Sequence, residues 1–82
     1  MSFVLTIVLP TGRQEFEIDW VEINTPSGNR VVQEGHAPLI APLEPKSNFK
    51  FSKPNGTIES FAVDSGIARI DRKGITIIAT QL

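Results

Sequence analysis

Glycine and proline cut this 82-residue chain into short apolar segments, and that spacing constrains the fold more than any other feature. Breaks fall at Pro10-Thr11-Gly12, Pro26-Ser27-Gly28-Asn29, Pro42, Pro54-Asn55-Gly56, Ser65-Gly66 and Lys73-Gly74. The intervals are rich in Val, Ile, Phe and Thr, the residues that suit a pleated surface. No apolar recurrence near 3.6 residues runs long enough to specify a helix. The pattern predicts an all-β fold, a small β-sandwich or flattened barrel of short, mostly antiparallel strands joined by tight turns.

Alternation assigns faces within those segments. Phe3, Leu5, Ile7 and Leu9 share one side of the opening strand; Val4, Thr6 and Val8 share the other. Two apolar faces predict that this strand is covered on both sides, by a second sheet or by a partner. Phe16 and Ile18 alternate with Glu15, Glu17 and Asp19, and Val21 and Ile23 with Glu22 and Asn24, as in half-buried strands. Val31 and Val32 form a short strand, and Pro42 marks Leu39 to Leu43 as an edge strand or a bulge. Phe49 and Phe51 share a face. Pro54-Asn55-Gly56 reads as a hairpin turn with both Asn55 and Gly56 at positive φ, and Ser65-Gly66 as a turn between separate strands.

The pentapeptide Gly35-His36-Ala37-Pro38-Leu39 holds the sole histidine between a residue that frees the backbone and one that stiffens it. It predicts a rigid, exposed loop suited to docking. Catalysis at His36 would need a nucleophile and an orienting acid beside it, and Asp64 and Ser65, adjacent on a strand, point to opposite faces. One histidine with scattered carboxylates falls short of a zinc ligand set, and no cysteine is present. The alternation of Glu15, Glu17 and Asp19 reads as the wet face of a strand. Trp20 reads as core packing or as an interface anchor, with core the preferred reading. Asn55-Gly56-Thr57 also matches a glycosylation sequon, although the turn accounts for these residues without it.

Eight basic against nine acidic residues give a net charge of −1 with no basic stripe, which argues against nucleic acid as a partner. No segment approaches the ~20 apolar residues of a membrane-spanning helix, and Phe3 to Leu9 lacks the basic leader of a signal sequence. Work at a membrane would therefore proceed through a protein partner. At this length about 60–65% of the unfolded chain's surface is buried on folding, enough for one small core, and residues 1–82 are expected to form a single domain.

Taken together, these motifs resemble the N-terminal β-sandwich of the ATP synthase epsilon subunit, the counterpart of the mitochondrial delta subunit. The likeness runs from Phe3 to Thr80. It rests on Leu5-Thr6-Ile7-Val8, the Ile18, Val21 and Ile23 spacing, Gly35-His36-Ala37-Pro38-Leu39, Asn55-Gly56-Thr57, the stretch from Phe61 to Ile67, and Ile75-Thr76-Ile77-Ile78-Ala79. The resemblance implies a non-catalytic rotor subunit, peripheral to the cytoplasmic face of the cell membrane, that joins the gamma subunit to the c ring in ATP synthesis. It implies that His36, Ala37, Pro38, Leu39 and Ala41 face gamma, and that Ser27, Gly28, Asn29 and Arg30 face the c ring. No cofactor or metal is implied. The sequence departs from the family pattern at four places: Asn29 replaces a usual acidic residue, Arg30, Val31, Val32, Gln33 and Glu34 replace a small hydrophobic-glycine stretch, Glu44-Pro45-Lys46 replaces a lysine-proline-glycine element, and Asp64 replaces a small or apolar residue. The family normally continues into a C-terminal helical hairpin that restrains hydrolysis and in some members binds ATP. With the sequence ending at Gln81-Leu82, neither the hairpin nor the ATP site is expected here. The rival reading is an unrelated β-sandwich that binds a peptide or carbohydrate.

Overall fold

The computed structural model describes residues 3–81; Met1, Ser2 and Leu82, the ends of the expected 1–82 domain, lie outside the described residues. Eight strands follow in order: β1 (Phe3–Leu9), β2 (Gly12–Ile18), β3 (Trp20–Thr25), β4 (Gly28–Gln33), β5 (Leu39–Pro42), β6 (Ser47–Ser52), β7 (Ile58–Ile70) and β8 (Gly74–Gln81). They pair along the path β2-β1-β8-β7-β6-β3-β4, with β5 added to β7. All pairs are antiparallel except β1 with β8. The two ends of the path, β2 and β4, do not pair with each other, so the sheet folds over as a sandwich and does not close into the alternative barrel.

One strand belongs to both layers. The first half of β7 pairs with β6 from Ile58 to Val63, and its second half pairs with β8 and with β5 through Ile67 to Ile70. Between the halves the register with β8 shifts at Val63 and Ser65, leaving Asp64 as an extra residue. A bulge of this kind bends the strand and reverses its alternation. Phe61 and Val63 point inward before it, and Ala68 and Ile70 after it. This corrects the sequence expectation of a turn at Ser65-Gly66: the parity change there comes from a bulge inside one 13-residue strand.

The connection from β5 to β6 straps this bend. The Leu43 amide donates to the Gly66 carbonyl at 2.9 Å and the Lys46 amide to the Asp64 carbonyl at 2.9 Å. Lys46 adopts a left-handed φ of 53° to make its bond. Two main-chain carbonyls disturbed by the bulge are thereby satisfied. Further along, only Gly56 (φ 88°) is left-handed in the β6–β7 turn; Asn55 is not, contrary to expectation. Its side-chain Oδ1 instead accepts the Thr57 amide at 2.9 Å, so this is a longer loop and not a two-residue turn with both centres at positive φ. The β3–β4 hairpin also differs, turning on Pro26 and Ser27 alone, with Gly28 and Asn29 already in β4.

The core lies between the layers. Phe3, Leu5, Ile7 and Leu9 of β1 meet Ile75, Ile77 and Ala79 of β8 on the inner face, opposite Val21, Ile23, Val32, Phe49 and Phe51. A run of phenylalanines crosses it: Phe16 to Phe51 at 5.0 Å between ring centres, Phe51 to Phe49 at 6.3 Å, Phe49 to Phe61 at 5.2 Å. Phe16 thereby ties edge strand β2 to the opposite layer. Lys53 covers it, 5.4 Å from the ring centre, while also pairing with Glu59. The other side of β1 corrects the expectation of a second covering sheet: Val4 is 42% exposed, and Thr6 and Val8 are half-buried.

Two substitutions test this packing. A Cβ at Gly74 would lie 2.5 Å from the Val4 carbonyl oxygen, where the parallel strands meet. Gly74→Ala is expected to lower unfolding stability by about 1–3 kcal/mol through backbone displacement. Phe51→Ala should lower it by about 3–5 kcal/mol, and urea denaturation of each variant provides the measurement.

Candidate docking surfaces

The His36 loop, residues 34–38, is held by its own main chain. The His36 amide donates to the Gln33 carbonyl at 3.2 Å across a turn in which Gly35 takes φ 81°, a conformation that strongly favours glycine at this position. Nδ1 of His36 lies 2.7 Å from the Ala37 carbonyl oxygen. A carbonyl only accepts, so Nδ1 carries the hydrogen and the neutral ring keeps Nε2 as an acceptor. Among the described residues no carboxylate or hydroxyl is hydrogen-bonded to the ring, and Ser65 Oγ is engaged with Thr80 Oγ1 at 3.1 Å. The imidazole therefore shapes the loop and offers one polar atom, with no nucleophile beside it. Among the described residues no group of three or more His, Asp or Glu side chains is placed to hold a metal ion.

Pro38 stiffens the exit of this loop into β5, an edge strand whose Ala41 is buried and whose Ile40 is 65% exposed. The register then carries an apolar row across the outer face of the layer. Pro42 sits opposite Ile67, Ile67 opposite Ile78, and Ile78 opposite Val8. Ile67 and Ile78 are 40% and 51% exposed. Val8, Pro10 and Ile78, with Ser65, Gly66 and Thr80, line a depression of about 360 Å³ on this face. Scattered exposed aliphatics are ordinary, but a row spanning four neighbouring strands is a candidate contact surface. Sequence reading had found the Val4, Thr6 and Val8 side of this face but missed Ile67 and Ile78. Their shared side became visible only once the bulge had fixed the parity of β7.

The second predicted group is built differently. Thr25 Oγ1 accepts the Ser27 amide at 3.2 Å and donates to the Gly28 carbonyl at 2.8 Å, bracing the hairpin tip from within. Asn29 Nδ2 donates to Asn24 Oδ1 at 3.1 Å, and Asn24 Nδ2 to the Asn48 carbonyl at 3.0 Å, a side-chain ladder over three strands. Arg30 stands opposite Ile23 in register, yet is exposed beyond the core. The fold brings part of the two predicted groups together: Ser27 and Arg30 line a cleft of about 180 Å³ with Leu39, Ile40 and Ala41. His36, Ala37, Pro38, Gly28 and Asn29 do not line it. Trp20, expected in the core, is half-buried on the outer face, where it lines a shallow cleft with Glu22, Val31 and Gln33.

Comparison with known proteins places this architecture. The family described as ATP synthase, Delta/Epsilon chain, beta-sandwich domain matches residues 2–82. The chain belongs to this family. It is similar to the ATP synthase epsilon chain of Bacillus cytotoxicus, with 31% identity over 81 residues, covering 98% of this chain and 59% of that one. The epsilon chain of a Bradyrhizobium species is 36% identical over 63 residues, 77% of this chain and 45% of the relative. The chain thus spans about half to three-fifths of the length of these relatives. Its fold is similar to that of a chain in the Euglena gracilis mitochondrial ATP synthase OSCP/F1/c-ring structure, with a TM-score of 0.88 at 17% identity over 95% of this chain and 50% of that one. A chain in the Tetrahymena thermophila mitochondrial ATP synthase central stalk/c-ring structure gives a TM-score of 0.79 at 15% identity, over 99% and 65% of the two chains. Among the described residues no helix is long and apolar enough to cross a membrane.

The internal bracing of the hairpin predicts that Thr25→Val, which removes both hydroxyl bonds while keeping the side-chain shape, lowers stability by about 1–2 kcal/mol. Thermal denaturation measures it.

Proposed function

We propose that this chain is a non-catalytic rotor subunit of a rotary ATP synthase, joining the gamma subunit to the c ring and turning with both. The observation that carries this reading is the apolar outer row of β5, β7, β8 and β1, lying beside the braced His36 loop, in a chain belonging to the delta/epsilon family. His36, Ala37, Pro38, Leu39 and Ala41, extended by the row from Ile40 to Val8, form the side that faces gamma. Ser27, Gly28, Asn29 and Arg30 form the side that faces the polar loops of the ring. Residues 1–82 act as one domain, held at the cytoplasmic side of the membrane through these protein contacts. No cofactor takes part.

The physical task is load transfer. Torque passes through a module only if its loops deform less than its interfaces slip. A main-chain-bonded His36 loop, a proline at its exit and a hydroxyl-braced hairpin tip all resist shear. Apolar contact on the gamma side supplies affinity in proportion to area, roughly 25 cal/mol per Å² buried. Arg30 supplies sign: with Asn29 neutral, this tip favours an acidic or neutral loop over a basic one.

Capture of the gamma subunit from the same organism tests the assignment. Ile40→Asp is expected to weaken capture about tenfold or more with the melting temperature unchanged, because the side chain is exposed. Retention of full affinity by Ile40→Asp and Ile78→Asp together would remove the outer row from the gamma contact. Failure of the unmodified chain to bind gamma at low salt would remove the rotor assignment itself.

A further inference from the structure

The apolar outer row from Pro42 to Val8 has a neighbouring line of different chemistry. Pairing sets Ile40 opposite Arg69, Arg69 opposite Thr76, and Thr76 opposite Thr6. Residues opposite one another, or two apart along a strand, point to the same side of a sheet, and diagonal neighbours lie within reach of long side chains. Arg69 therefore stands inside the face, with Ile40 across from it, Ile67 two residues before it and Ile78 on the diagonal. β5, β8, β1 and the part of β7 beyond the bulge contain no other charged residue. One cation is set into an otherwise uncharged surface.

The chain does not neutralise this cation itself. Asp71, two residues further on, turns Oδ1 to the Lys73 and Gly74 amides at 2.8 and 2.9 Å. Glu15 ends the same line, opposite Thr6, and pairs with Arg13 at 3.0 Å. Among the described residues Arg69 makes no ion pair, and its side chain is exposed. In water the guanidinium needs no counter-charge. Beneath a partner it loses that hydration, and a covered charge without an opposite one beside it is strongly unfavourable. A partner that touches both Ile40 and Ile78 also spans Arg69.

We infer that the gamma surface opposing this face is apolar around one carboxylate, placed over Arg69, and that this pair fixes the register in which the two proteins dock. The inference rests on the rotor reading. A planar guanidinium takes a carboxylate through two parallel hydrogen bonds, so the pair specifies direction as well as sign. Aliphatic side chains alone leave two apolar surfaces free to slide along the row. A charge pair set among them penalises every shifted position, because each shift leaves both charges covered and unpaired.

Capture of gamma from the same organism by Arg69→Met, Arg69→Glu and Arg69→Lys tests it, with Ile40→Asp as the reference for the face. Because Arg69 is exposed, melting temperatures are expected to stay unchanged. Arg69→Met keeps the length of the stem and removes the charge, and is expected to weaken capture about thirtyfold. Arg69→Glu is expected to weaken it further, and Arg69→Lys, which keeps the sign, clearly less. Carbodiimide treatment of the complex formed by Arg69→Lys is expected to join position 69 to an Asp or Glu of gamma, identified by peptide mass spectrometry. That cross-link and Arg69→Met carry the test if Arg69→Glu does not fold. Weakened capture by Ile40→Asp with full affinity in Arg69→Met, equal affinities of Arg69→Met and Arg69→Lys, or cross-links that avoid position 69 would overturn the inference and leave the rotor reading standing. Failure of the unmodified chain to bind gamma removes both.

Discussion

Everything in this molecule hangs on how β7 bends at Asp64. A straight strand would belong to one layer, and the chain would then form a single open sheet with one face of Phe, Ile and Val exposed to water. Because one residue is left unpaired, the strand turns a corner and the two halves of the sheet face each other. The cost is a disturbed ladder, and the β5–β6 connection offsets it by donating the Leu43 and Lys46 amides to the carbonyls of Gly66 and Asp64. Gly66 is fitted to the same place. A Cβ there would lie 2.8 Å from the Ile78 carbonyl and 2.9 Å from the Ala79 side chain, so only a bare backbone lets β7 and β8 approach.

From that corner the surfaces follow. Reversed alternation after Asp64 sends Ile67 outward beside Ile78 and Val8, while Ala68 and Ile70 turn to the core. The same bend leaves the path ending at β2 on one side and β4 on the other, with β5 beside β7. The layer carrying β1 and β8 acquires an apolar outer row; the opposite layer acquires the asparagine ladder and the Trp20–Val31 cleft. One body thus carries two faces of different chemistry.

Much of this was legible beforehand, for identifiable reasons. β3 and β6 alternate cleanly, because each keeps one parity from end to end, and their inward residues Val21, Ile23, Phe49 and Phe51 are buried as the pattern required; β1, apolar on both faces, gave no such choice of side, and the structure buries Leu5 and Ile7. The loop at His36 was legible because glycine and proline act through local backbone sterics. Ile67 and Ile78 were not legible as one surface, since a bulge leaves no composition signal and a parity change looks like a turn. For Trp20 the preferred core reading failed, since it stands on the outer side of β3 and only half-buried, while the interface-anchor alternative was also open. The joint cleft of Ser27, Arg30, Leu39 and Ala41 joins residues far apart in the chain, and no local pattern encodes their meeting.

The sequence by itself determined the β class, most strand positions, the inward residues of the regular strands and the family, because these depend on short-range backbone preference and two-residue periodicity. Tertiary structure alone decided which strands share a layer, where the long strand changes sides, and which apolar side chains remain in water. Those outcomes depend on pairings between distant segments, and a pairing is set by the combined fit of both partners and not by either one.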